Sequence, residues 1–77
     1  MTELQIKEME QKLAHLAETH HCQMIVNTED EMPCFTFDKC NVPLLADVRM
    51  TCEEYGVQDC VESSDSWGYV GVDLNNL

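Results

Sequence analysis

Cys22-Gln23-Met24-Ile25-Val26-Asn27, then the acidic break Glu29-Asp30-Glu31-Met32-Pro33, then Cys34-Phe35-Thr36-Phe37, is the stretch on which the fold turns. Two short runs rich in β-branched and aromatic residues flank a segment built for a turn, which predicts a β-hairpin with a loop of about five residues. Phe35 and Phe37 are two positions apart, so a strand places both rings on one face. On the N-terminal side, Ile6, Met9, Leu13, Leu16 and Ala17 recur at spacings of three and four, predicting an amphipathic helix over residues 2–20. Thr2 suits its N-cap, and Glu3 lies in the first turn, where negative charge suits the helix dipole. Glu3–Lys7 and Glu8–Lys12 are i,i+4 pairs for its wet side.

On the C-terminal side of the hairpin, Asn41 and Pro43 mark the start of a second helix that runs to about Tyr55. Leu45, Val48, Cys52 and Tyr55 form its expected inner stripe, with Asp47, Met50 and Glu54 on the opposite side. Gly56 stands where a left-handed C-cap favours glycine. Residues 57–62 then predict a third strand, residues 63–66 a turn, residues 67–74 a fourth strand, and residues 75–77 a frayed tail. The order is α-β-β-α-β-β. The fold class is α+β, a four-stranded antiparallel sheet with two helices packed on one face.

The two halves align at an offset of 35 residues: Glu18 on Glu53, Gln23 on Gln58, Val26 on Val61, Asp30 on Asp65 and Asp38 on Asp73. The implied architecture is an αββ pseudo-repeat. His21 aligns with Gly56 and is therefore expected at positive φ in the first helix's cap, which histidine tolerates better than a β-branched residue does.

At 77 residues the chain suits a single domain, residues 1–77. A chain of this size buries only roughly 60% of its unfolded surface. Its charge is strongly one-sided: 15 Asp and Glu against 4 Lys and Arg give a formal net charge of −11. Such a surface repels nucleic acid and anionic membranes and attracts basic proteins. Residues 1–20 carry too many charges for a signal peptide, and no apolar run is long enough to span a bilayer, so the expected location is cytoplasmic. Five cysteines without CxxC spacing are expected to be reduced, and most of them buried.

Motifs for catalysis are absent. His20-His21-Cys22, with Cys34 facing Cys22 across the hairpin, is the best metal candidate, but it lacks paired ligand spacing and is read as capping and packing. A nucleophilic cysteine needs an electropositive setting, and the carboxylates here would raise a thiol's pKa. The acidic runs at residues 29–31 and 59–65 do not match a calcium loop with its spaced ligands. No metal and no cofactor is expected, nor enzymatic activity.

The carboxylates remain as the functional candidates. Glu29, Asp30, Glu31, Glu53, Glu54, Glu62 and Asp65 are the expected partner contacts, with Trp67 and Tyr69 as aromatic anchors. Pseudo-repeated hairpins would set the acidic turns at corresponding ends and join them into one negative surface. The expected function is a small inhibitor or adaptor that engages a basic protein, in its concrete form a nucleic-acid mimic directed at a nucleic-acid-binding protein or complex. That is the general character of small phage anti-defence proteins, anti-CRISPR and anti-restriction proteins among them, which act in the host cytoplasm. The alternative is a structural or regulatory homodimer whose acidity serves only solubility and whose Met24, Met32 or Met50 packs on a second copy.

Overall fold

The structure, a computed structural model, describes residues 1–77. Helix α1 (Glu3–Thr19) is followed by strands β1 (Met24–Asn27) and β2 (Cys34–Phe37), helix α2 (Val42–Glu54), and strands β3 (Val61–Ser64) and β4 (Tyr69–Asp73). One-turn 3-10 helices occupy Gln58–Cys60 and Leu74–Asn76. The four strands form one antiparallel sheet in the order β1-β2-β4-β3, as the α+β reading expects.

Thr2 begins α1 with a capping box: its hydroxyl accepts from the Gln5 amide, and the Gln5 side chain accepts from the Thr2 amide. Asn41 caps α2 through the Leu44 amide, with Pro43 in the first turn. The helices run antiparallel. Lys12 meets Glu54 at 3.0 Å, Tyr55 donates to Glu8 at 3.1 Å, and His20 lies 2.7 Å from Asp47 at the other end. Met9, Leu13 and Ala17 of α1 and Leu44, Val48 and Cys52 of α2 join Phe35, Phe37, Val70 and Val72 in one buried cluster, which puts both helices on one face of the sheet. The inner stripe of α2 thus begins at Leu44, not Leu45, which with Tyr55 is only half-buried. Positions 44, 48 and 52 repeat every four residues, and 45 and 55 flank that row.

Both helices end in Schellman motifs. Cys22 N–H donates to Ala17 and His21 N–H to Glu18; Val57 N–H donates to Cys52 and Gly56 N–H to Glu53. His21 has φ 56° and Gly56 φ 70°, so the two residues aligned by the repeat share one backbone conformation. The sheet carries the repeat further. Adding 35 to Thr36 gives Gly71, and these two residues are directly paired; Phe35 pairs with Val72 and Phe37 with Val70. A pseudo-two-fold axis therefore crosses the sheet between Thr36 and Gly71.

The halves differ in the outer strands. Val26 pairs with Phe35, so exact repetition would pair Val61 with Val70; Val61 instead pairs with Val72, a slip of two residues. A slip of two keeps each side chain on its own face. The third strand consequently begins at Val61 rather than residue 57. Alternation from Val57 would have turned Asp59 inward with Val57 and Val61. A 3-10 turn instead buries Val57 and Cys60, three apart, and leaves Asp59 outside. Ser63 and Ser64 belong to β3, and the turn falls at residues 65–68: Gly68, at φ 69°, donates to the Ser64 carbonyl, and the Trp67 amide donates to Ser64 Oγ. The fourth strand begins at Tyr69 rather than residue 67. The expected frayed tail is pinned instead, with the Leu74 amide bonded to Pro33 and Asn75 bonded to Met32.

Because β2 and β4 are antiparallel, the two hairpin turns project from opposite ends of the sheet. The expected single surface joining both acidic turns does not form.

His21 is exposed, and a left-handed conformation strains a residue with a Cβ by about 1–2 kcal/mol. His21→Gly should therefore raise stability by roughly 0.5–1 kcal/mol, and Gly56→Ala should lower it by about 1 kcal/mol, both measured by urea denaturation. Equal, near-zero changes would remove the conformational argument.

Candidate functional site

The seven carboxylates expected to act together lie on four separate surfaces. Glu29, Asp30 and Glu31 occupy the β1–β2 turn. Glu53 and Glu54 end α2, and Glu54 is held by Lys12. Glu62 projects from the sheet face opposite the helices, since it is paired with Gly71 on the row shared by Thr36 and Ile25. Asp65 lies at the far end, where it accepts from the Cys40 thiol at 3.3 Å.

Of the proposed anchors, Trp67 is 85% exposed at the tip of the β3–β4 turn. Tyr69 is half-buried on the open sheet face. Met24 and Met32 are packed against the core rather than free for a second copy, and only Met50 is exposed. Cys34 pairs with Asn27 and so cannot face Cys22 across the hairpin. No group of three or more His, Cys, Asp or Glu converges to hold a metal ion.

What the structure does assemble is a groove of about 300 Å³ between the first half of α1 and the β1–β2 turn. Glu3, Ile6, Lys7 and Glu10 line one wall, at helical spacing on one flank of α1. Asp30, Glu31, Met32 and Pro33 line the other. Four carboxylates thus surround an apolar floor supplied by Ile6 and Met32, with Lys7 the only cation. None of the four takes part in an ion pair. Glu29 is a member of the same turn, its amide bonded to the Asn27 side chain at 2.9 Å.

The turn is fixed by the C-terminal segment. The Met32 amide donates to Asn75 Oδ1 at 3.0 Å, and Asn75 Nδ2 donates back to the Met32 carbonyl at 2.8 Å. Asp73 in turn accepts from the Asn75 backbone and side chain. Glu3, Glu10 and Asn75 were not among the sequence-derived site residues. The signal available for the first two was the Glu3-Ile6-Lys7-Glu10 spacing, which reads equally as a solvated helix flank; Asn75 gave none.

The remaining cations are mostly engaged elsewhere. Lys12 sits between Glu8 and Glu54 and over the Tyr55 ring; Tyr55 first, then Glu54, raises its pKa. Lys39 Nζ donates to the His20 carbonyl at 2.7 Å and so caps the end of α1. Lys7, Lys39 and Arg49 make no ion pair with a carboxylate, and of these Lys39 is held by the His20 carbonyl.

All five cysteines are free thiols with raised pKa values. Burial is the leading cause at each, and nearby carboxylates add to it: Asp38 at Cys22, Asp73 at Cys34 and Cys60, Asp65 at Cys40. Buried Cys52 is pushed up to about 11. Thiols held protonated in this way are poor nucleophiles at neutral pH.

No protein-family model, no curated protein and no solved structure matches the chain.

Asn75→Ala removes both bonds to Met32 and should destabilise the fold by about 1–2 kcal/mol, with amide exchange at residues 29–32 accelerating more than at β4. Uniform acceleration across the chain would deny Asn75 this local role. For the thiols, the folded state binds the Cys52 proton more tightly than the unfolded chain does. Its contribution to stability is complete below the ordinary value of 9.0 and is lost as pH rises toward 11. At pH 8, alkylation of Cys52 should proceed only as fast as unfolding exposes it, read by mass spectrometry across a urea series. Rapid modification without denaturant would contradict the assigned burial.

Proposed function

We propose that this protein is a non-enzymatic binding protein whose acidic groove between α1 and the β1–β2 turn takes a basic segment of a partner protein. The observation that carries the reading is the groove itself, in which Glu3, Glu10, Asp30 and Glu31 surround Ile6 and Met32 and have no ion-pair partners of their own. That combination suits Arg or Lys. The aliphatic stem lies on an apolar floor while the cationic head meets carboxylates at the rim. A net charge of −11 adds long-range steering toward a basic surface, and the attraction weakens as salt rises.

The finer form of the proposal makes the partner a nucleic-acid-binding protein whose phosphate-binding residues meet carboxylates in place of phosphates. Inhibition by occupancy then follows without any catalytic step. Phage anti-defence proteins of the anti-CRISPR or anti-restriction kind work in the cytoplasm with this character, and the charge distribution supports placing the protein among such inhibitors. No helix is long and apolar enough to cross a membrane, and the acidic surface disfavours both nucleic acid and anionic lipid as direct ligands.

The test is capture of basic proteins from a bacterial lysate on immobilised protein at low and high salt. It is paired with a variant in which Glu29, Asp30 and Glu31 become Lys, and a second in which Glu3 and Glu10 do. Each should weaken binding of the captured partner by at least about tenfold, about 1.4 kcal/mol, while circular dichroism remains that of the parent. Failure to retain any basic protein at low salt, or unchanged affinity in both variants, would overturn the proposal.

A further inference from the structure

The outer face of α2 is the exception on this acidic molecule. From Lys39 to Arg49 the chain carries a single carboxylate, Asp47, and His20 holds it at 2.7 Å. With Leu44, Val48 and Cys52 turned into the core, the opposite side of the helix presents Val42, Ala46 and Met50 at four-residue spacing. Val42 is 80% exposed and Met50 65%. Arg49 and Glu53 lie on the same face, both exposed. They stand at i,i+4 in the less favourable order, cation first, and form no ion pair with each other.

We infer that this face is the interface of a homodimer, in which α2 packs antiparallel against α2 of a second copy. The charges on the face select that occupant. A two-fold interface must be complementary to itself. An antiparallel pairing about an axis near Met50 sets the two Met50 side chains together. It also brings Arg49 of each copy to within about 3 Å, along the helix, of the level of Glu53 of the other, from a rise of about 1.5 Å per residue. Two equivalent ion pairs then bracket an apolar centre, and the small Ala46 side chain permits close helix approach. A basic partner protein is a poorer occupant, because the first three turns of this face offer it Arg49 and no free carboxylate.

The like charge of two −11 chains opposes association at every other surface, and here it acts only at long range, where salt screens it. Dimerisation should therefore strengthen, or hold steady, as salt rises, which is the reverse of capture by the groove. The groove lies on the flank of α1 away from α2, since Glu8 and Lys12 face Glu54 while Glu3, Ile6, Lys7 and Glu10 line the groove. Both surfaces can be used at once, and the dimer would present two grooves to one partner assembly.

Sedimentation equilibrium of the full chain under reducing conditions, from micromolar to millimolar concentration, tests the assignment. The parent should show a monomer–dimer equilibrium. Ala46→Glu should weaken it by at least about tenfold, as should Arg49→Glu, while the double exchange R49E/E53R should restore it to within about threefold. Circular dichroism establishes that each variant is folded, and the double exchange keeps the test decisive if a single variant is not. A parent that stays monomeric throughout, a dimer indifferent to Ala46→Glu, or a double exchange no better than Arg49→Glu would each overturn the inference.

Discussion

The pairing of β2 with β4 is the constraint on which the rest of the structure depends. It sets Phe35, Phe37, Val70 and Val72 side by side as the floor of the core, and both helices bury their stripes on that floor. β1 and β3 are outriggers, each hydrogen-bonded along one edge only. Four buried side chains on two central strands act as the common partner for everything above them, so truncation there leaves a cavity felt by both helices. Phe→Ala changes in such positions cost about 3–5 kcal/mol, a large part of what a chain of this size can hold. The same pairing decides the surface. Once Thr36 faces Gly71 across antiparallel strands, each hairpin must turn at the opposite end from the other, and the acidic loops part company.

Local chemistry made much of this fold legible. Thr2 and Asn41 cap the helices they precede, and β2 occupies the predicted residues. The repeat placed His21 opposite Gly56, and both adopt the left-handed cap conformation, because a Schellman motif demands that geometry from whatever residue stands there. The failures came where a neighbour outvoted local pattern. Residues 57–60 have strand-like composition, yet alternation would have buried Asp59, and the chain takes a 3-10 turn instead. Asn75 looks like tail until its amide is set against the Met32 backbone, 43 positions away in sequence. The two-residue slip of β3 was invisible for a related reason: a slip of two leaves every side chain on its face, so the hydrophobic pattern cannot register it.

The candidate site was less legible than the fold. Counting carboxylates requires only the sequence; knowing which of them are neighbours requires strand order and helix rotation. Of the seven acids singled out from sequence, Asp30 and Glu31 line the groove, and Glu29 shares their turn. Glu3 and Glu10 complete it from α1, where the favourable i,i+4 relation of Glu3 to Lys7 suggested an ordinary solvated flank. Asp47 and Glu54, expected on the outer side of α2 beside Met50, turn instead toward α1, where they meet His20 and Lys12.

How the four cations are placed bears on whether the acidity is more than a solubility device. Solubility is served by net charge of either sign, and is indifferent to where the few opposing charges lie. Here Lys12 joins the two helices through Glu8 and Glu54, and Lys39 donates to the carbonyl of His20, the C-cap of α1. Lys12 and Lys39 therefore neutralise carboxylates or backbone dipoles inside the helix layer, away from the groove. Lys7 alone stands among the groove's four carboxylates. With Lys12 and Lys39 engaged outside it, the groove keeps a net negative charge. On the proposed function, a cationic partner side chain entering there would meet carboxylates that no protein cation must first release, which would lower the rearrangement cost of binding.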